Sequence, residues 1–444
     1  MADSTQTLNF PAVSGHDLVV RFDGGDISSD AGMTLVSAAD KKIRLISALA
    51  LAIDDSRDQA KIDYSIELLM QERVYAIALG YEDANDLDRL RYDPILKTAC
   101  GRLPESGLAL ASQPTISRLE NGISRRDLIR MGHALAEKVV AQLPLHTKQV
   151  ILDVDPTDDP CHGQQQLECF NGFYDNHCYL PLLFFVTGDD GRQRLICALL
   201  RSGNAGATKG LRSVLHTIVK LLRIRLPEVR IILRADSGFG VASVIRSCHR
   251  MGIDFVLGLP SNKSLQRLST PVQMDAALKY RWEGDGCKEF GEFLYAAGTW
   301  GKKEERVVVK AEITQGKLNP RYVVTNRMDL TTEGVYDWYC ERGDRENRIK
   351  EFKIDLSSGR TSCHKFLANQ ARLLLHAAAS VLMSALQASL EGTRWAAAQV
   401  NTLRVRILKV GARVVETCRK VWLHLPTAFP DQDIWKLLHE RLST

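Results

Sequence analysis

The 444-residue chain has no paired-cysteine signature: its ten cysteines stand singly, with no C-x-x-C among them. That pattern excludes a disulfide framework, argues against a structural zinc site and reads as reduced thiols of a cytosolic protein. His162, His177 and His249 do not stand at metal-ligand spacing either. No basic start with a short apolar core opens the chain, and no apolar run approaches the roughly 18 residues of a membrane span. A cytoplasmic protein with no membrane partner is therefore expected. Excess charge is scarce too. Fifty-eight Lys and Arg against 53 Asp and Glu leave a net charge of +5, so any affinity for nucleic acid must reside in local patches. What remains is ordinary globular composition, 45% hydrophobic and 25% charged, long enough for two or three domains.

Residues up to about Ser14 are mostly polar and are expected to be loosely ordered, with a short strand over Asp17–Phe22. Good helix formers then dominate to about Cys100, in Lys42–Ala52 and in Ile66–Leu79, which ends at a C-cap glycine, Gly80. Gln113–Gly122 followed by Ser124–Arg130 fits a helix-turn-helix that touches DNA and equally a packing element with surface arginines.

After Lys148 the texture turns to strand. Val150–Val154 is apolar apart from Asp153, with Asp155 next beyond it, and Tyr179–Val186, the turn Asp189-Asp190-Gly191 and Leu195–Leu200 read as a hairpin. An amphipathic helix over Gly210–Leu226, closed by Pro227, leads to the strand Val229–Ala235, which runs into Asp236. The order β-β-β-α-β is that of a ribonuclease-H-like fold. A carboxylate closing a buried strand needs a partner or a role, because desolvating its charge is costly; at Asp236 an N-cap and a metal ligand are both open. Further strands between Asp254 and about Met328 form a β-rich insertion.

In the stretch 339–353, Tyr339, Arg342, Glu346, Ile349 and Lys353 follow at spacings of three, four, three and four, so a helix places them on one face. Two strand-borne aspartates and the helix-borne Glu346 then make a divalent-metal site. The spacing Tyr-x2-Arg-x3-Glu-x6-Lys resembles the signature of the DDE transposases of bacterial insertion sequences. The blocks Leu152–Gly163, Leu233–Phe239 and Arg348–Glu351 resemble one branch of them, the thirteen-eighty family, and the likeness runs from about Phe22 to the C-terminus.

The resemblance implies an α/β protein: a ribonuclease-H-like catalytic domain with a β-rich insertion, flanked by helical N- and C-terminal regions. The expected divisions are 1–147, 148–253, 254–335, 336–390 and 391–444. It assigns the catalytic, metal-binding carboxylates to Asp155, Asp236 and Glu346. Asp153 remains an alternative first ligand, since two residues earlier on the strand it points to the same face. Phosphodiester cleavage and joining are in-line displacements that two Mg²⁺ ions about 3.5–4 Å apart promote, with Mn²⁺ a substitute, and such hard cations require oxygen ligands. Tyr339, Arg342 and Lys353 are expected at DNA phosphates. So are Arg404, Arg406 and Lys409, from a basic stripe that also contains Arg413, Arg419 and Lys420.

The expected partners are double-stranded DNA, as terminal inverted repeats and as target, and a second copy of the chain on paired ends, at the nucleoid. A non-catalytic DNA-binding relative and a metal-dependent nuclease without strand transfer are the competing readings.

Overall fold

The computed structural model describes residues 7–300 and 303–443, with the side chains of residues 59 and 344–346 outside the description. The chain divides into two compact units, residues 121–377 and residues 1–120 with 378–444.

The larger unit is built on a mixed eight-stranded sheet. Its strands in chain order are β1 (Gln149–Pro156), β2 (Leu182–Thr187), β3 (Gln193–Leu199), β4 (Arg230–Ala235), β5 (Asp254–Leu259), β6 (Lys288–Tyr295), β7 (Glu305–Thr314) and β8 (Lys317–Thr325). They lie side by side as β6-β7-β8-β5-β4-β1-β2-β3. The expected antiparallel meander is present as β1-β2-β3, and β4 joins β1 in parallel. Helices α1 (Arg125–Ala141), α2 (Leu211–Arg225), α3 (Ala242–Met251) and α4 (Thr270–Glu283) connect or cover these strands, and α5 (Thr332–Cys340) and α6 (Asp344–Lys350) follow the last of them. The segment expected as an insertion does not form a separate sheet. Strand β5 pairs in parallel with β4, and β8, β7 and β6 extend the same sheet antiparallel from it.

Alternation along the strands puts Asp153, Asp155, Arg234 and Asp236 on one face. Helix α5 packs on that face, seating Val335 and Tyr336 against Ile232, Val256, Val308 and Val323. Arg234 is the next-to-last residue of a strand that is buried and otherwise apolar after the exposed Arg230, and it pairs with Asp153, its register neighbour on β1. Two charged hydrogen bonds join them, Nε to Oδ1 at 2.9 Å and Nη2 to Oδ2 at 3.1 Å. Both side chains are buried, at 6% and 0% exposure. The remaining nitrogen, Nη1, donates to the carbonyl of Trp338 at 2.7 Å, and the guanidinium lies 4.5 Å from that indole ring.

In the smaller unit, helices Met33–Ile43, Leu45–Leu51, Ile66–Leu79 and Pro94–Ala99 pack together, and Arg73 on the third forms a buried pair with Glu120 at 3.3 Å. Gly80 closes the third of these helices at φ +94°, the left-handed conformation expected of a C-cap. Two expectations are corrected here. Leu8–Val13, taken as loosely ordered, pairs antiparallel with His16–Val20 around Ser14 and Gly15, both at positive φ, the conformation of a two-residue hairpin turn. The 391–444 stretch is not wholly helical: Ala412–Glu416 and Val421–His424 form a hairpin, because buried Ala412 and Val414 alternate with exposed Arg413 in a period of two.

Among the described residues one helix, Phe366–Ala388, is long and apolar enough to cross a membrane, although no 18-residue apolar run was expected. Its apolar window is 78% buried, as in a core helix.

Removing one partner of a buried ion pair strands the other charge, at a cost of about 3–5 kcal/mol. Asp153→Ala is therefore expected to lower stability by about that amount, while Asp155→Asn stays within about 0.5 kcal/mol of wild type. Urea midpoints of the two variants check this, and equal midpoints would contradict a structural role for Asp153.

Candidate active site

Strand β1 carries Asp155 one residue past the last paired position, Val154 with Ala235, and β4 runs straight into Asp236. The two aspartates thus stand side by side at the carboxyl ends of neighbouring parallel strands, where a loop or turn leaves room for a ligand. Asp236 also caps the turn that follows it, accepting from the Gly238 amide at 2.8 Å through Oδ1. The N-cap role left open from the sequence is therefore real, and it occupies one oxygen of the two. Asp155 is partly exposed, and its Oδ2 lies 3.6 Å from Nη1 of Arg342. That nitrogen is buried and makes no hydrogen bond among the described residues.

The segment after β8 reaches this rim by a change of helical pitch. A regular helix over 339–353 was expected; instead α5 passes through a 3₁₀ turn, Glu341–Gly343, into α6 and then a π turn, Glu351–Asp355. Glu341, Gly343, Lys350 and Glu351 all keep right-handed helical dihedrals, so the chain goes on spiralling. Single π turns of this kind recur at functional sites. The described side chains of the motif converge on the strand ends. A Cβ on Gly258 would come within 2.7 Å of the Tyr339 hydroxyl and 2.8 Å of the Ser237 amide, which places that hydroxyl beside the residue following Asp236. Arg342 meets Asp155 and lies 5.9 Å from the Tyr339 ring. Lys353 donates to Asp158 at 2.6 Å. A cavity of about 380 Å³ opens between Ser237, Gly258, Tyr339 and Arg342. Glu346 sits on α6 between Arg342 and Lys353, and its side chain lies outside the described residues.

Three groups at the rim were not singled out from the sequence. Tyr174, in the turn between Cys169–Asn171 and Asn176–Tyr179, has its hydroxyl pushed up to about 12 by burial and then by the charges of Asp158, Asp155 and, more weakly, Asp236. It therefore lies within electrostatic reach of both strand-end aspartates. Asp159 is buried, accepts from Thr361 at 2.5 Å through Oδ2 and leaves Oδ1 without a hydrogen bond. Arg234 was legible: a cation inside a buried strand, two residues before Asp236, required an acidic partner on the neighbouring strand.

The structure separates the other sequence candidates. Asp153 is wholly buried and engaged with Arg234. The basic triplet of the C-terminal stretch is not one stripe. Arg404 is buried and donates to the Ala78 carbonyl at 3.1 Å. Lys409 pairs with Asp30 at 2.9 Å and lies 3.9 Å from the Tyr81 ring, so both cations serve their own unit. Arg406 is exposed, as are Arg413, Arg419 and Lys420.

Among the described side chains no three His, Cys, Asp or Glu gather into a metal-binding group. The two strand-end aspartates nevertheless supply the hard oxygen donors that Mg²⁺ takes, usually as one or two carboxylates with water and phosphate. The Arg342 guanidinium beside Asp155 suits an anionic oxygen. The donor set thus fits a divalent cation.

Paired carboxylates at adjacent parallel strand ends of a mixed sheet, with cations brought to them from a following helix, make this an α/β protein that offers at those ends the oxygen donors a divalent cation takes. The chain belongs to the transposase DDE domain group 1 family, whose model matches residues 10–444. Membership implies catalytic DNA cleavage and strand transfer, a divalent metal and DNA as the partner. No curated protein matches the chain.

Burial lifts the Asp159 carboxyl from its ordinary 3.8 to about 7, against the opposing pull of Thr361 and Lys353. A carboxyl whose pKa rises on folding contributes stability that is full below about 3.8 and is lost as pH rises through about 7. Asp159→Asn keeps the hydrogen bond from Thr361 and removes the titration. Between pH 4 and 8 its melting temperature is therefore expected to fall less than that of the wild type, and parallel thermal melts at the two pH values check it.

Proposed function

We propose that this protein is the transposase of an insertion sequence of the thirteen-eighty type. In this reading it binds the terminal inverted repeats of its element, cleaves them and joins the ends to target DNA, acting in the cytoplasm at the nucleoid as a homodimer on paired ends. Asp155, Asp236 and Glu346 are the carboxylates that hold the divalent cations, and Asp153 is a positioning residue that never meets the metal. The observation that carries this reading is the convergence of Tyr339, Arg342 and Lys353, spaced as the motif requires, on the strand ends that bear Asp155 and Asp236.

Asp155, Asp236 and Glu346 would hold two Mg²⁺ ions, which would supply activation of the incoming oxygen and stabilisation of the outgoing one for an in-line displacement at phosphorus. The chain's own residues do the rest. Arg342, ion-paired with Asp155 at 3.6 Å, offers the N–H donors of its guanidinium to a non-bridging phosphate oxygen. Tyr339 presents its hydroxyl at the cavity beside Ser237 and can hydrogen-bond the DNA strand next to the scissile phosphate. Lys353, held by Asp158, adds positive charge at the rim. The bidentate grip of Arg234 on Asp153 holds β1 and β4 in register, so the two ligand aspartates stay level.

Asp236→Asn and Glu346→Gln each remove a charged oxygen while keeping shape. Each is expected to abolish Mg²⁺-dependent nicking and joining of duplexes carrying the inverted repeats that flank the element, and to leave binding of those duplexes near wild type. Assaying joined products as well as nicks separates a transposase from a nuclease. Near-wild-type cleavage by either variant would sink the metal assignment.

A further inference from the structure

Helices α2 and α3 pack side by side and leave between them a groove of about 1150 Å³. Its charge is of one sign, beside apolar Val219, Ile224 and Met251. Arg212, His216, Lys220, Arg223 and Arg250 line it, with hydroxyls such as Ser213 and Thr217, and among the described lining residues none is acidic. Neither helix contains a single Asp or Glu. Arg212, His216 and Lys220 recur every four residues, so they climb one face of α2 in steps of about 6 Å. All three are exposed, and among the described residues no carboxylate pairs with Arg212, Lys220 or Arg250. A solvated helix face normally mixes both signs of charge; this groove has only one.

The groove is also built in place. At its far end Arg223 donates to the carbonyls of Met251 and Gly252, tying α2 to the end of α3. At its near end Thr208 and Gly210 belong to the loop that leads out of β3. The buried guanidinium of Arg201 gathers that loop by donating to the carbonyls of Gly206, Ala207 and Lys209, at 3.2, 2.7 and 3.3 Å. Ala207 in turn reaches the turn after Asp236: a Cβ on Gly238 would lie 3.2 Å from the Ala207 Cβ. The loop at the groove's near end therefore touches the turn after Asp236, and from it the cations run along α2, 15 residues or about 22 Å.

We propose that this groove holds the phosphate backbone of target DNA, the duplex that receives the cleaved ends. The proposal rests on the transposase reading and adds to it a surface distinct from the motif helix. Cations and hydroxyls contact phosphates and position a duplex; Arg and Lys also read guanine, but reading adenine and cytosine draws on amides and carboxylates. The described lining carries neither of those groups. The partner it suits is one whose sequence need not be read, which describes the target and not the terminal repeats.

The test uses full-length protein and the triple variant Arg212→Ala/Lys220→Ala/Arg250→Ala, with Arg212→Lys/Arg250→Lys as a charge-keeping control. Binding of a fluorescent 30-base-pair duplex of random sequence is followed by anisotropy across a salt series. For the triple variant, the slope of log affinity against log salt is expected to flatten by about 0.9 per lost contact. Joining of pre-cleaved ends into a plasmid should fall about tenfold or more, nicking of inverted-repeat duplexes should persist, and the control should behave as wild type. A wild-type slope in the triple variant overturns the groove as a DNA surface, and loss of nicking together with joining overturns its assignment to target DNA. Absence of Mg²⁺-dependent nicking in the unaltered protein overturns the transposase reading instead, and that result comes from a separate assay.

Discussion

The Asp153–Arg234 pair is the constraint on which the arrangement of the larger unit turns. Two strands can lie parallel and still slide, and a slip of one residue moves every side chain to the opposite face. Here a fork of two hydrogen bonds, formed out of contact with water, is satisfied in one register only. The third guanidinium nitrogen ends on the Trp338 carbonyl, so the same cation also locates the C-terminal turn of α5. One side chain thus sets three elements relative to each other: the strand ending in Asp155, the strand ending in Asp236 and the helix that delivers Tyr339 and Arg342. A buried pair of this kind adds little net stability over an apolar substitute. Its worth is geometric, in keeping carboxylates on separate strands level with each other.

Much of this was legible in the residues. The meander, the crossover helix and the strand into Asp236 follow from apolar runs and turn residues, and each appears close to where those patterns put it. Tyr339, Arg342 and Lys353, singled out by the motif spacing, do approach the strand ends although the helix carrying them is irregular, because the chain keeps turning in one sense through the 3₁₀ and π segments. Local pattern did not show where the later strands would pair. Strands β6 to β8 carry the same signals whether they build their own sheet or extend an existing one. The choice depends on β5 offering its free edge to β8, a contact between residues more than sixty positions apart.

The basic residues mark the other limit. Arg404, Arg406 and Lys409 look alike in a string of letters, yet one is buried against a helix-end carbonyl, one is exposed and one is paired with Asp30. Conversely, the cations of α2 sit in an amphipathic helix whose polar face drew no notice. Their significance comes from α3, which brings Arg250 across the groove and contributes no acid. Charge becomes a surface only after folding decides which charges share it.

The continuous sheet also orders events as the chain leaves the ribosome. Both aspartate strands are made by residue 236, but α5 needs Val256, Val308 and Val323 beneath it before Val335 and Tyr336 have anywhere to pack. A nascent or prematurely terminated chain that stops within β7 or β8 therefore holds two carboxylates and lacks the helix that follows them. The motif helix gains its seat only after nearly all of the sheet exists, so a chain cut short in the outer strands lacks the packing that holds Tyr339 and Arg342 at the strand ends.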